Sequence, residues 1–207
     1  MSNVVKVNFM EDSGLFPWKK NVLLSGGCRG VLPFGIIETG EGTRGFYRTE
    51  GFVRLSELAE IKADEILTVS ERVLECVEIC RDCLIFPGEY VLSTDTIYVT
   101  SDFREARIAY IPLKRYVSEE GALSSLIYNM RRLTTENGRT YLDTLGAMLE
   151  CSHLKLRKVI GFIEELKEEI KRREEWIQAQ HTGHCHCSSN FTGIFDSKVC
   201  NRTDYRV

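Results

Sequence analysis

The distribution of apolar residues changes along the chain from short runs to longer helical periods. Before residue 54 the apolar runs are short and separated by glycine clusters, and nine of the sixteen glycines precede residue 52. Short apolar runs bounded by glycine-rich turns are typical of strands. We therefore expect a small antiparallel strand region at the N-terminus. Its strands are predicted at Val22–Leu24, Gly35–Ile37, Phe46–Tyr47 and Phe52–Val53, with a further strand within Met1–Asp12.

The middle of the chain is predicted to form one long helix followed by a β-hairpin. The apolar spacing changes here from about two residues to about 3.6, which indicates a helix over Ala63–Ile85. Pro87-Gly88 is a stop signal for that helix. Pro112 ends the hairpin, because proline cannot donate a ladder hydrogen bond. The extended runs between these prolines are Tyr90–Leu92, Thr96–Thr100 and Arg107–Ile111.

The C-terminal part is predicted to be helical. Ser118 is placed to cap a helix, because Glu119 and Glu120 then fall in the first turn, where acidic residues are favourable. Asn137-Gly138 is predicted to break this helix near Thr135. The two remaining helices are predicted at about Arg139–Glu150 and Leu154–Gln180.

These elements together predict an α+β fold. Its parts are an N-terminal antiparallel strand region, a central helix with a β-hairpin, and C-terminal helices. We divide the chain into a globular α+β domain over residues 1–153, a charged amphipathic helix over 154–180, and a flexible tail with Cys and His over 181–207.

The last predicted helix carries apolar residues at heptad spacing. These are Leu156, Val159, Ile163, Leu166, Ile170 and Ile177. The residues up to Leu166 are expected to pack on the domain. Beyond Ile170 charged residues dominate, and we expect the helix to project and to offer a seam for a homodimer or a partner protein.

Composition narrows the classes of protein to which the chain belongs. Its 207 residues are 43% hydrophobic and 28% charged, as is ordinary for a soluble globular protein. The net charge of −3 and the lack of a basic stripe argue against nucleic-acid binding. No apolar run approaches the roughly 20 residues of a membrane span. Because Met1–Asp12 does not have the pattern of a signal peptide, we expect a cytoplasmic protein whose eight cysteines are reduced.

Three cysteines match the CxxxCxxC spacing that holds iron–sulfur clusters in radical enzymes. They are Cys76, Cys80 and Cys83. Cluster ligation requires an open loop. Here the cysteines continue an apolar helical face that includes Val69 and Val73, and free cysteine behaves as a small buried hydrophobe. We therefore interpret them as core residues.

The segment Gly40–Gly45 matches the GxGxxG motif of nucleotide-binding loops. In a dinucleotide-binding fold, a helix must begin at the third glycine. Phe46–Gly51 instead predicts a strand and a turn. A kinase phosphate loop needs a lysine on the next strand. This chain has only Arg54 there, and Arg54 follows the glycines too closely along the chain. A glycine-rich hairpin is the favoured interpretation.

The densest group of metal-ligand types lies in the C-terminal tail, at His181, His184, Cys185, His186, Cys187 and Cys200. Imidazole and thiolate suit zinc or copper. However, Cys185 and Cys187 are not separated by the two residues of a zinc knuckle, and little apolar sequence surrounds the group. We predict no specific metal site.

Motifs of nucleophilic and hydrolytic enzymes are missing from the sequence. GxSxG, HExxH and the zinc-deaminase pattern do not occur. Cys151 and His153 lie at a helix boundary with no orienting acid, so we interpret them as structural. We predict a protein that is not an enzyme, with no catalytic residues and no cofactor.

Residues 35–150 resemble a domain of unknown function from Firmicutes that is usually found ahead of a forkhead-associated (FHA) domain. The residues that carry the resemblance are Gly45-Phe46-Tyr47, Leu55-Ser56-Glu57-Leu58, Tyr90-Val91-Leu92-Ser93, Thr96-Ile97-Tyr98-Val99 and Ile108-Ala109-Tyr110-Ile111-Pro112. No FHA domain follows in this chain, so phosphopeptide binding through such a domain is not implied.

That family is distantly similar to pseudokinases, which implies a degenerate kinase-like fold. The resemblance places Thr96 at the metal-binding asparagine and Val91 at the catalytic aspartate. Tyr90 takes the place of the preceding arginine, and Tyr110 or Ile111 that of the metal-binding aspartate. Kinase chemistry needs carboxylate and amide oxygens at these points. The resemblance therefore implies a catalytically inactive protein.

The function that we expect is a non-catalytic interaction or scaffold module in a bacterial signalling or secretion-linked assembly. Its partner is expected to be a protein, and not a nucleic acid. Two alternatives stay open: a redox protein dependent on metal or an iron–sulfur cluster, and a nucleotide-sensing pseudokinase.

Overall fold

The computed structural model describes residues 4–9, 16–39, 42–151 and 155–181. Within them the chain forms five α-helices and two three-stranded antiparallel sheets, which confirms the α+β prediction. It divides into two compact units, residues 1–170 and residues 171–207. None of the described helices combines the length and apolar character needed to cross a bilayer.

The first sheet contains β1 (Val4–Phe9), β2 (Phe34–Thr39) and β3 (Gly42–Arg48), in the order β1-β3-β2. The extra strand expected near the N-terminus is therefore present. Val7, Phe34 and Tyr47 are buried on one face of the sheet, and the rings of Phe34 and Tyr47 lie 4.8 Å apart. This face contributes to the hydrophobic core of the first unit.

The predicted strand at Val22–Leu24 is wrong, because these residues end helix α1 (Pro17–Leu24). Pro17 stands at the start of the helix, where its fixed φ is favourable. Lys19 and Leu23, four residues apart, are the buried positions of α1. A four-residue spacing of buried positions is typical of a helix and not of a strand. The short apolar run Val22–Leu24 by itself does not distinguish the two.

The second sheet contains β4 (Val53–Arg54), β5 (Ile97–Val99) and β6 (Ala106–Ile108), in that order. β5 and β6 form the predicted hairpin, with shorter strands than expected. Ile97 pairs with Ile108, and both are buried.

Helix α2 (Ala63–Asp82) contributes ten buried residues and is the centre of the hydrophobic core. It ends three residues before the predicted boundary at Ile85. Gly88 has a φ of +92°, and a Cβ there would lie 2.1 Å from the Val117 carbonyl oxygen. Glycine is therefore required at Gly88 for both backbone conformation and space.

Helices α3 (Glu119–Met130), α4 (Glu136–Glu150) and α5 (Leu156–His181) follow. Ser118 caps α3 as predicted, since its Oγ accepts a hydrogen bond from Gly121 N at 3.1 Å.

The helix break predicted near Thr135 is present, but Asn137-Gly138 does not cause it, because both residues lie in the first turn of α4. The break comes earlier, in a short 3-10 helix (Arg131–Leu133) and the extended Thr134. A Cβ at Gly138 would lie 2.1 Å from Thr134 Oγ1. This glycine permits close packing and does not end a helix.

Part of α5 packs against α2 within the first unit. Lys167 Nζ lies 2.7 Å from Glu71 Oε2, and Glu71 is itself buried. Leu156, Val159, Ile163 and Leu166 are buried, which confirms the predicted inward face. In the second unit, residues 171–179 are exposed. Residues 152–154 and 182–207, with His153 and most of the predicted tail, lie outside the described residues.

Candidate functional site

The site that the kinase resemblance singles out lies where two segments of backbone run side by side. We call residues 86–96, which follow α2, the loop segment, and residues 109–113, which follow β6, the return segment. Val91 N donates to the Ile111 carbonyl oxygen at 2.7 Å, and Leu113 N donates to the Glu89 carbonyl oxygen at 2.9 Å. Tyr90 and Pro112 form an antiparallel bridge between them. The two segments therefore satisfy each other's backbone groups.

Thr96, which the sequence resemblance sets at the metal-binding asparagine, uses its hydroxyl to hold the loop segment. Thr96 Oγ1 accepts from Ser93 N at 3.0 Å and lies 2.9 Å from the Val91 carbonyl oxygen, to which it donates. The Thr96 carbonyl oxygen accepts from Ala109 N at 2.8 Å. The side chain of Thr96 is thus committed to a turn and does not face a ligand.

Three buried tyrosines fill the space around the two segments. Tyr47, Tyr90 and Tyr110 are each at most 1% exposed. The rings of Tyr90 and Tyr110 lie 5.6 Å apart, and Tyr47 OH donates to the Tyr110 carbonyl oxygen at 2.5 Å. Burial raises the pKa of all three phenols, so they are neutral. The two segments are therefore packed with neutral aromatic side chains.

Lys19 on α1 forms an ion pair with Glu89 of the loop segment. Lys19 is 4% exposed, and its ammonium also lies 5.2 Å from the centroid of the Trp18 ring. Glu89 Oε1 accepts a further hydrogen bond from Phe86 N at 2.5 Å. The pair fixes α1 against the start of the loop segment. Sequence analysis missed it, because the partners are 70 residues apart.

Both carboxylates of the loop segment already accept hydrogen bonds. Glu89 binds Lys19 and Phe86 N as above, and Asp95 Oδ1 accepts from Ser56 Oγ at 2.6 Å. The return segment contributes no acidic residue. The carboxylates of Glu89 and Asp95 therefore connect the loop segment to Lys19 and Ser56 on neighbouring elements. They do not form the paired acidic site that magnesium requires.

The three cysteines of the CxxxCxxC motif lie on α2 and at its C-terminal end, as the helical interpretation predicted. They meet Cys28, whose Sγ lies 3.8 Å from Cys80 Sγ, and Cys76 Sγ donates to the Gly30 carbonyl oxygen at 3.0 Å. Cys28, Cys76 and Cys80 are buried, and Cys83 is half-buried. Desolvation, with the hydrogen bond to Cys28, raises the pKa of Cys83 to about 11. Among the described residues, no group of three Cys, His, Asp or Glu side chains is placed to hold a metal ion.

The GxGxxG segment forms part of the β2–β3 hairpin. Gly42 and Gly45 lie in β3, which continues to Arg48, so no helix begins at the third glycine. Thr39 pairs with Gly42 across the turn. This agrees with the predicted glycine-rich hairpin. Gly40 and Glu41 are outside the described residues.

Comparison with known proteins assigns the fold but no family. No family model matches the chain, and neither does any curated protein. Among solved structures, the chain is similar to an apo pseudokinase, with a TM-score of 0.53, 12% identity, and coverage of 80% of this chain and 82% of the other. It is also similar to the EssB cytoplasmic fragment of Geobacillus thermodenitrificans, with a TM-score of 0.51, 10% identity, and coverage of 89% and 90%.

These similarities define a class of fold. The chain has a mixed α+β fold whose structural neighbours include a pseudokinase. At such low identity they establish fold alone and transfer no activity. The predicted association with FHA domains gains no support from them.

Proposed function

We propose that this chain is a non-catalytic interaction or scaffold module with a degenerate kinase-like fold. We place it in the cytoplasm, in a bacterial signalling or secretion-linked assembly, related to the FHA-associated domain that its sequence resembles. The observation that carries the proposal is the use of the loop and return segments for internal bonding. Thr96 Oγ1, Val91 N and the Tyr110 carbonyl oxygen all bond within the protein.

Phosphoryl transfer depends on magnesium held by carboxylate and amide oxygens, and on an aspartate that orients the attacking hydroxyl. The corresponding positions here hold Val91, Thr96 and Tyr110. An entering metal–phosphate group would have to displace buried aromatic rings and break the bond between Tyr47 and Tyr110. The two carboxylates of the loop segment, Glu89 and Asp95, are already bonded to Lys19 and Ser56.

The same contacts support a structural role for the site. Tyr47 comes from the first sheet and Lys19 from α1, while Tyr110 and Glu89 belong to the return and loop segments. These contacts bind the N-terminal elements to the loop and return segments of the first unit. Rigid placement of two parts of a domain is what a scaffold requires, because a partner that contacts both then loses little conformational freedom on binding.

The proposal is tested by a phosphotransfer assay on the full chain with labelled ATP, magnesium and a generic protein substrate, beside an active protein kinase as the positive control. We expect no label on the chain or on the substrate. In parallel, native mass spectrometry of the protein purified from its own host should show a stoichiometric protein partner. Magnesium-dependent labelling that is lost in Tyr110→Ala would contradict the proposal.

A further inference from the structure

A surface depression of about 430 Å³ lies between the end of α3 and the start of α4. It is lined by Tyr128, Asn129, Arg131, Arg132 and Arg139. Three of its five lining residues are arginine, in a chain whose net charge is −3. Arg131 and Arg139 pair with Asp143 and Glu136, so the positive charge left over at the depression is that of Arg132.

Two of the arginines are held in position by the protein. Arg139 Nε donates to the Arg131 carbonyl oxygen at 3.2 Å, and Arg139 Nη1 lies 3.2 Å from Glu136 Oε2. Arg131 Nε lies 3.1 Å from Asp143 Oδ1. Since a guanidinium carries five N–H donors, each keeps donors for an outside acceptor. The fixed geometry reduces the entropy lost when a ligand binds.

Arg132 is different, because it makes no ion pair with any residue in the part of the chain that the structure describes. It is exposed at the same depression. Tyr128 lies against the backbone of α4, where a Cβ at Gly146 would come within 2.6 Å of its ring. The depression thus combines the packed ring of Tyr128, the amide of Asn129 and the guanidinium of Arg132, which has no ion-pair partner among the described residues.

We propose that this depression binds a short acidic peptide segment of a partner protein. Guanidinium groups pair bidentately with carboxylates, Asn129 suits a peptide backbone, and Tyr128 offers an apolar surface. The carboxylates of Glu136 and Asp143 already pair with Arg139 and Arg131, so Arg132 is the guanidinium left to bind a carboxylate of the segment. The inference rests on the proposed function and names the partner chemistry of that interaction module.

The test is fluorescence anisotropy of a labelled hexaglutamate peptide with the full chain, at low and at physiological ionic strength. We expect salt-sensitive binding that Arg132→Gln weakens by about tenfold, the loss expected for one charge-assisted contact. The matched control is Arg104→Gln, whose side chain is 83% exposed in the turn between β5 and β6 and pairs with Asp102. This variant should bind as the parent does.

Three results would overturn the inference. The first is that hexaglutamate does not bind at low ionic strength. The second is that Arg104→Gln weakens peptide binding as much as Arg132→Gln does. The third is that an RNA oligonucleotide binds more tightly than hexaglutamate and its binding is equally sensitive to Arg132→Gln. The variants change only exposed side chains, so they should fold, and circular dichroism confirms this. Because phosphotransfer is measured separately, failure of peptide binding would leave the non-catalytic proposal standing.

Discussion

The hydroxyl of Tyr47 donates a 2.5 Å hydrogen bond to the backbone carbonyl oxygen of Tyr110, 63 residues further along the chain. This bond connects strand β3 of the first sheet to the return segment. The sequence resemblance sets Tyr110 or Ile111 at the point where a kinase holds a metal-binding aspartate. This one contact therefore has two consequences. It occupies the site where, by that resemblance, catalytic oxygens would be needed, and it attaches the N-terminal sheet to the return segment.

Tyr47→Phe should destabilise the protein by about 1–2 kcal/mol, because it leaves the buried Tyr110 carbonyl oxygen without its donor. Urea unfolding followed by circular dichroism measures the change in the free energy of unfolding. Tyr116→Phe is the control, since Tyr116 is 65% exposed and should change stability very little. Equal effects of the two substitutions would show that the bond does not contribute.

Lys19→Ala should destabilise the protein by about 2 kcal/mol, because Glu89 then loses its buried partner. Breaking a fully buried ion pair costs more, but Glu89 is partly exposed. Lys20→Ala provides the comparison. Lys20 pairs with Glu38 at an exposed position, where an ion pair contributes about 0–1 kcal/mol. If both variants lost the same stability in chemical denaturation, the attachment of α1 by Lys19 would be refuted.

Gly138→Ala should destabilise the protein by about 1–3 kcal/mol, because the new methyl group overpacks against Thr134. Thr134 cannot easily yield, since its Oγ1 donates to the Ile61 carbonyl oxygen at 2.6 Å. Gly161→Ala in α5 is the matched control. A Cβ there meets nothing within 4 Å, so the better helix propensity of alanine should stabilise by about 0.5–1 kcal/mol. Shifts of the same sign in thermal unfolding would argue against the packing described at Gly138.

Alkylation of Cys83 should be slow at neutral pH and should accelerate as the pH rises. Its pKa is raised to about 11, so below that pH the reactive thiolate fraction grows about tenfold per pH unit. Buried Cys28 and Cys80 should react more slowly still, and exposed Cys151 faster. Iodoacetamide labelling followed by peptide mass spectrometry resolves the individual residues. Rapid, pH-independent labelling of Cys83 would contradict this order.

The sequence predicts the elements whose apolar spacing is local. The helix period across Val69, Val73 and Cys76 predicted α2, and Ser118 predicted the start of α3. The failures have a physical cause in each case. Val22–Leu24 is too short for its period to distinguish helix from strand, and Gly138 is explained by its contact with Thr134.

The candidate site was predictable only in part. The resemblance singled out Tyr90, Val91 and Thr96 from their order along the chain, and the structure places all three in the loop segment, where the sequence predicted extended runs. The ion pair of Lys19 with Glu89 depends on how distant elements pack, and no spacing in the sequence indicates it. The arginine-lined depression was missed for a similar reason, since Arg131 and Arg139 belong to different helical elements.

The most direct test of the central claim is a thermal melting experiment on the full chain with ATP, in magnesium and in EDTA. Our account predicts the same melting temperature in both conditions and without nucleotide, because both carboxylates of the loop segment are bonded within the protein and the return segment has none. A magnesium-dependent rise in melting temperature with ATP would show that the site binds metal–nucleotide. It would contradict the assignment of this chain as a scaffold whose kinase-like site is closed.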